Sequence, residues 1–156
     1  MKVIRVTITI ILIFFAAVPS FAANAKRSAV IAAVRGSVEV KPLKGEWVPA
    51  KANTTLAEGD FIKTGKDSWV LINIDDSGET ASVELKESSN MELSLLSIDE
   101  KTGATRTLLD MYAGEVMVKA KNLGGKKSKF DVKTPTSIVA VKGDSASFSV
   151  KVERIE

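Results

Sequence analysis

The sequence predicts a single all-β domain, a compact β-roll, short solenoid-like unit or sandwich of about ten short strands. Three observations carry that prediction. From Ala29 onward the apolar residues come in short bursts separated by Gly, Asp, Asn or Ser; no segment keeps a 3.6-residue period for three turns; and the bursts recur about every ten to twelve residues. A length of 156 residues allows one ordinary domain with one core.

The first element in chain order is a leader. Lys2 and Arg5 form a positive start, residues 6–18 are almost wholly apolar, and Pro19 ends the run before a stretch of small residues. Two small-x-small sites follow, Ser20-Phe21-Ala22 and Ala23-Asn24-Ala25. Cleavage after Ala25 is the preferred reading, with Ala22 as the alternative, so 1–25 is read as a signal peptide and 26–156 as the domain. Thirteen mostly apolar residues fall short of the roughly 20 a spanning helix needs; Val3 and Ile4 lengthen the run, which leaves an uncleaved anchor as the competing reading. The expected mature chain has no transmembrane helix and is periplasmic or secreted.

Strand candidates lie at 29–34, 37–43, 60–63, 68–75, 80–85, 91–97, 105–112, 115–121, 129–134, 137–141 and 146–152. Turn signals separate them: Arg35-Gly36, Glu58-Gly59, Thr64-Gly65-Lys66-Asp67, Asp75-Asp76-Ser77-Gly78, 99–103, Ala113-Gly114, Gly124-Gly125 and Lys142-Gly143. Val83 and Leu85 alternate with Ser82, Glu84 and Lys86, and Val116 and Val118 with Glu115, Met117 and Lys119, the pattern of strands with one buried face. Trp69-Val70-Leu71-Ile72 is apolar on both faces and predicts a central strand covered on each side. The run Leu56-Ala57-Glu58-Gly59-Asp60-Phe61-Ile62 echoes Met111-Tyr112-Ala113-Gly114-Glu115-Val116-Met117, as two solenoid coils or two unrelated bulges would.

Composition narrows the chemistry. The chain has no Cys, which excludes a disulfide framework and a lipidated cysteine, and no His, which removes the commonest general base and metal ligand. Zinc and iron sites are therefore not expected, nor any cofactor. The formal charge of +3 falls to +1 once Lys2 and Arg5 leave with the leader, so nucleic acid is not an expected partner.

The order of the motifs is more specific than any one of them. Val34-Arg35-Gly36-Ser37-Val38 is followed by Trp47-Val48-Pro49-Ala50, then by Leu56-Ala57-Glu58-Gly59-Asp60-Phe61-Ile62-Lys63-Thr64-Gly65. Gly114 comes after the 109–112 run, and Phe130-Asp131-Val132-Lys133-Thr134-Pro135 and Val139-Ala140-Val141-Lys142-Gly143 close the series. In that order they resemble the FecR domain, the extracytoplasmic module named after the ferric-citrate regulator. The resemblance implies an envelope location, a β-roll or solenoid-like fold, and structural roles for Gly36, Trp47, Gly59, Asp60, Thr64, Gly65, Gly114, Thr134, Pro135 and Gly143. Gly59, Gly65, Gly114 and Gly143 are expected in turns with positive φ, Asp60 is expected to bond its own turn, and Trp47 to cap the core beside Pro49. Asp144 stands where the family usually has Thr. Only Met1 to Arg5 precede the apolar run, so the sequence carries no counterpart of the cytoplasmic segment by which the ferric-citrate regulator controls a sigma factor.

Candidate chemistry is sparse. Asp75, Asp76 and Glu79 could gather around a calcium ion, but a solvated hairpin turn explains them better. Lys119, Lys121, Lys126, Lys127 and Lys129 surround Gly124-Gly125; the spacing is not that of a phosphate loop, and a solubilising hairpin is the simpler account. Trp47, Trp69 and Tyr112 could form a sugar-stacking platform, with Trp47 the candidate for exposure and Trp69 expected in the core. A carboxylate pair could in principle hydrolyse glycosides, but no pair stands out, and Gly-x-Ser-x-Gly is absent. The leading expectation is a non-catalytic binding domain with an envelope protein partner; an envelope-structural or peptidoglycan- and glycan-binding module is the alternative.

Overall fold

A computed structural model describes residues 24–75, 78–125, 127–142 and 145–153. Among them lie thirteen strands: β1 (Asn24–Lys26), β2 (Ala29–Arg35), β3 (Val38–Lys41), β4 (Val48–Pro49), β5 (Thr55–Leu56), β6 (Phe61–Thr64), β7 (Trp69–Ile74), β8 (Ala81–Leu85), β9 (Asn90–Asp99), β10 (Thr105–Ala120), β11 (Lys129–Lys133), β12 (Ile138–Lys142) and β13 (Ala146–Val152). Residues 1–23, Asp76, Ser77, Lys126, Gly143, Asp144 and 154–156 lie outside the described residues, and with them most of the leader, the middle of the 75–79 turn and the turn expected at Gly143.

The strands form two leaves. One runs β4-β3-β6-β9-β10-β11-β12, with β1 also on β9; the other runs β5-β2-β7-β8-β10-β13. All pairs are antiparallel except β10 with β11. Strand β10 belongs to both leaves: residues up to Ala113 pair with β9, and residues from Gly114 pair with β8 and β13. The two candidates at 105–112 and 115–121 are therefore one bent strand, and Ala113-Gly114 is a bend inside it rather than a turn. The internal echo dissolves for the same reason, since Gly59 lies in a loop before β6 and Gly114 inside β10.

Alternate residues of both leaves point inward and share one core. Ile31, Ile72, Ile74, Leu85, Met91, Leu93, Leu96, Leu109, Met111 and Phe130 are fully buried there. Burying each aliphatic side chain of this size contributes about 1.5–3 kcal/mol. Strand β7 lies centrally in its leaf, between β2 and β8. Its burial nevertheless alternates: Val70, Ile72 and Ile74 are buried while Trp69 and Leu71 are half-exposed. The expectation of a strand covered on both faces, with Trp69 in the core, is corrected accordingly; its outer apolar side chains meet solvent.

The Leu56-Ala57-Glu58-Gly59-Asp60 stretch has a definite task. On one edge of β9, residues 90–92 pair with β6 and 97–99 pair with β1, leaving a gap between. The turn fills it. Gly59 N–H donates to the Leu93 carbonyl at 2.8 Å, Leu93 N–H to the Asp60 carbonyl at 3.0 Å, and Leu96 N–H to the Glu58 carboxylate at 3.1 Å. Asp60, 8% exposed, accepts from Ala57 N–H at 2.9 Å and Leu43 N–H at 3.1 Å, the self-bonded turn the sequence predicts.

Candidate binding surfaces

The chain passes between the leaves four times along one corner: at Gly36-Ser37, at 65–68, at 86–89 and at Gly114. Buried hydroxyls sew these passages together. Ser68 Oγ accepts from Ser37 N–H at 2.9 Å and donates to the Lys66 carbonyl at 2.9 Å. Thr64 Oγ1 donates to the Lys86 carbonyl at 2.5 Å and accepts from Ser89 N–H at 3.0 Å. Ser89 Oγ donates to the Glu87 carbonyl and accepts from Glu115 N–H, both at 3.0 Å. Each satisfies backbone groups that the change of leaf would otherwise leave unpaired.

Two glycines make the passages possible. Gly114 has φ +88°, and a Cβ there would lie 2.0 Å from Ser89 Oγ; Gly36 has φ +76°, with Ser68 Oγ 2.4 Å from the same position. Gly65 differs from the expectation, because its φ is not positive; it is held by closeness to Ser37, whose Cβ would be 3.3 Å away. The family-pattern residues Gly36, Thr64, Gly65 and Gly114 thus converge on this corner, from positions far apart in sequence.

A groove of about 1180 Å³ opens beside the corner, lined by Arg35, Trp69, Lys86, Glu87, Asn90 and Lys151 among others. Its charges are largely spoken for: Lys86 pairs with Glu84 at 2.5 Å, and Glu87 accepts Asp67 N–H at 2.7 Å. Asn90 Oδ1 is a buried side-chain oxygen without a hydrogen-bond partner. Among the described residues no three acids gather in a way that could hold a metal ion. Asp75 is ion-paired with Arg27 and keeps a third of its side chain in solvent.

The outer face of the β3-β6-β9-β10 leaf carries aromatic side chains. Phe61 on β6 and Tyr112 on β10 have ring centroids 6.2 Å apart and planes 20° apart. Tyr112 is 47% exposed, and its hydroxyl donates to Glu92 on the intervening strand at 2.6 Å. That hydrogen bond, with burial and the Glu92 charge, pushes the phenol up to about 12. Lys63, two residues from Phe61, holds its ammonium 4.4 Å from the Trp47 ring centre. Trp47 is therefore half-exposed on this face instead of capping the core, and its neighbour Pro49 is exposed.

Thr134 and Pro135 shape the turn from β11 to β12, where Thr134 Oγ1 accepts Ser137 N–H at 3.0 Å and Pro135 occupies the second position. Strand β12 pairs on one side with β11, and among the described residues its other side is unpaired; Ile138 is 64% exposed. The lysines at 119, 121, 127 and 129 are exposed around Gly124-Gly125, as a solubilising loop requires, while Leu123 tucks inward. Sequence reasoning missed Ser68 and Ser89, which read as ordinary turn residues, and Phe61, which reads as one half of an alternating strand.

The family model described as FecR protein matches residues 60–155, more than half of the chain, and the chain belongs to this family of signalling and sensing, envelope-associated proteins. No curated protein and no solved structure matched. Among the described residues no helix is long and apolar enough to cross a membrane.

Proposed function

We propose that this chain is a non-catalytic extracytoplasmic domain that docks an envelope protein partner along the free edge of β12. The observation that carries the reading is the edge itself. Within the stretch matched by the FecR model, Ile138-Val139-Ala140-Val141-Lys142 has no strand on its outer side among the described residues, carries no proline, and leaves Ile138 largely in solvent. Such an edge is a template for an added strand. Exposed Lys129 on the adjacent β11 favours a partner strand carrying a carboxylate. A photo-crosslinking residue at Ile138 is expected to give one discrete protein adduct in the host envelope, and the same residue at exposed Glu100 none; no adduct, or equal adducts at both, would sink the reading.

The same reading includes export with removal of the leader. Asn24 and Ala25 pair with Asp99 and Ile98, so cleavage after Ala25 would remove two of the three residues of β1. The pairing favours the alternative cut after Ala22. Sequencing of the exported protein should begin at Ala23; a start at Lys26 refutes that choice, and a retained Met1 refutes the cleaved leader.

A further inference from the structure

The face bearing Trp47, Phe61 and Tyr112 is a second surface, separate from β12, and the geometry points to it as a binding site for a linear, uncharged, β-linked glycan. The argument begins with what the face excludes. Lys63 is paired with Glu39 at 2.8 Å and Lys133 contacts Asp110 at 3.7 Å, while Lys41 and the still anionic Glu92 flank Phe61 in the cross-strand register, so the two signs balance along the face. A face on which the signs balance offers little to a polyanion or to a strongly charged protein. The apolar area is also small, one stacked pair of rings with Trp47 beside the Lys63 ammonium, whereas a protein interface wants a continuous apolar centre.

What remains is aromatic area with polar handles beside it, the combination that suits pyranose rings: one flat C–H surface for stacking, hydroxyls at the rim for hydrogen bonds. Tyr112 cannot swing freely because Glu92 anchors its hydroxyl, and Phe61 lies against it, so the stacking surface is formed before any ligand arrives. Phe61 and Lys63 project from the same side of β6 about 7 Å apart. The register sets Lys41, Phe61 and Glu92 side by side on β3, β6 and β9, with Tyr112 stacked on Phe61 and Trp47 just before β4 beside the Lys63 ammonium, so the rings follow one row across the strands. Successive sugar rings of an extended chain can rest on the two aromatic stations while their hydroxyls meet the intervening charges. β-linked chains are extended and carry axial hydrogens on both ring faces, which fits this row better than a helical α-linked polymer.

The test uses the purified exported protein, co-sedimented with insoluble chitin and with cellulose, and in parallel applied to immobilised heparin. Trp47 fluorescence in a Trp69→Phe background reports contact directly. Saturable sedimentation with at least one neutral glycan is expected, with a shift in Trp47 emission. Trp47→Ala and Tyr112→Ala should each weaken binding tenfold or more without lowering the melting temperature, and Tyr112→Phe should retain most of it. Absence of binding to both neutral glycans, retention by heparin alone, or binding indifferent to Trp47→Ala and Tyr112→Ala would overturn the proposal. Crosslinking at Ile138 is untouched by these outcomes, so the two surfaces are judged separately.

Discussion

The two ends of the double-leaved domain are held shut by different means. At the corner, four passages of the chain run from leaf to leaf, and Thr64, Ser68 and Ser89, at 6%, 2% and 2% exposure, bond the backbone of neighbouring passages. At the far end buried hydroxyls recur, with Thr105 Oγ1 donating to the Leu123 carbonyl at 2.7 Å, but a charged clasp is added. Arg27 follows β1, donates its backbone N–H to the Leu96 carbonyl, and reaches with its guanidinium to Thr107 Oγ1 at 3.1 Å and to both oxygens of Asp75 beyond the end of β7. One end is neutral, distributed and indifferent to pH; the other is a charged contact between residues 48 positions apart, with the Arg27 side chain 6% exposed. Distributed neutral bonds resist changes in solution conditions, whereas a charged clasp concentrates the dependence in one pair.

The largest effect is expected at the corner. Gly114→Ala puts a methyl into Ser89 and forces an L residue to φ +88°, and should cost more than about 3 kcal/mol, seen as a deep fall in melting temperature. Gly65→Ala, free of positive φ, should cost under about 1 kcal/mol. Equal losses at the two sites would break the account of the corner.

The far end should respond less, and with pH. Arg27→Met should cost about 2 kcal/mol at neutral pH, through loss of a partly buried ion pair. Burial of Asp75 opposes its charge, but the hydrogen bond and charge of Arg27, aided by Thr80, outweigh burial and hold the carboxyl below its ordinary value. The folded state thus favours the charged carboxylate. Its contribution is complete above the unfolded value of about 3.9 and fades as pH falls through the lower folded value. Urea titrations between neutrality and pH 2 should show the gap between wild type and Arg27→Met closing in acid; a constant gap refutes the clasp.

The smallest stability effect belongs to the aromatic face. Tyr112→Phe should cost about 0.5 kcal/mol or less, since the hydroxyl is exposed. The chain's one tyrosine makes its ionisation easy to follow by ultraviolet absorbance. Its midpoint should lie near 12 and drop toward 10 in Glu92→Gln. Because the folded value is raised, that contribution is full below about pH 10 and lost as pH passes the folded value.

Much of this architecture is legible in the sequence, and the illegible part has a common cause. The strands announce themselves because burial on one face imposes alternation, as at Val83 and Leu85. The Asp60 turn is readable because its bond from Ala57 N–H is local. Ala113-Gly114 misleads because a positive-φ glycine serves a bend inside a strand as well as a turn between strands. The extra residue in β9 that shifts pairing between Leu108 and Leu109 also spoils its alternation, so Leu96, not Leu95, is buried. The clasp and the aromatic face depend on residues tens of positions apart. No local pattern marks Arg27 for Asp75, or Phe61 for Tyr112.

Strand β10 has a consequence for how the chain acquires its shape. It pairs with β8, β9, β11 and β13, and is the one element that both leaves share among the described residues. Nothing made before it can close the core, because the earlier strands of the two leaves are joined to each other only through connecting passages. Assembly must wait for the last third of the polypeptide, and non-local pairing of this kind is slow. A fragment ending at Ala104 should remain without protected amides in hydrogen exchange. A keystone placed so late keeps a chain delivered from its N-terminus loose until almost all of it has emerged.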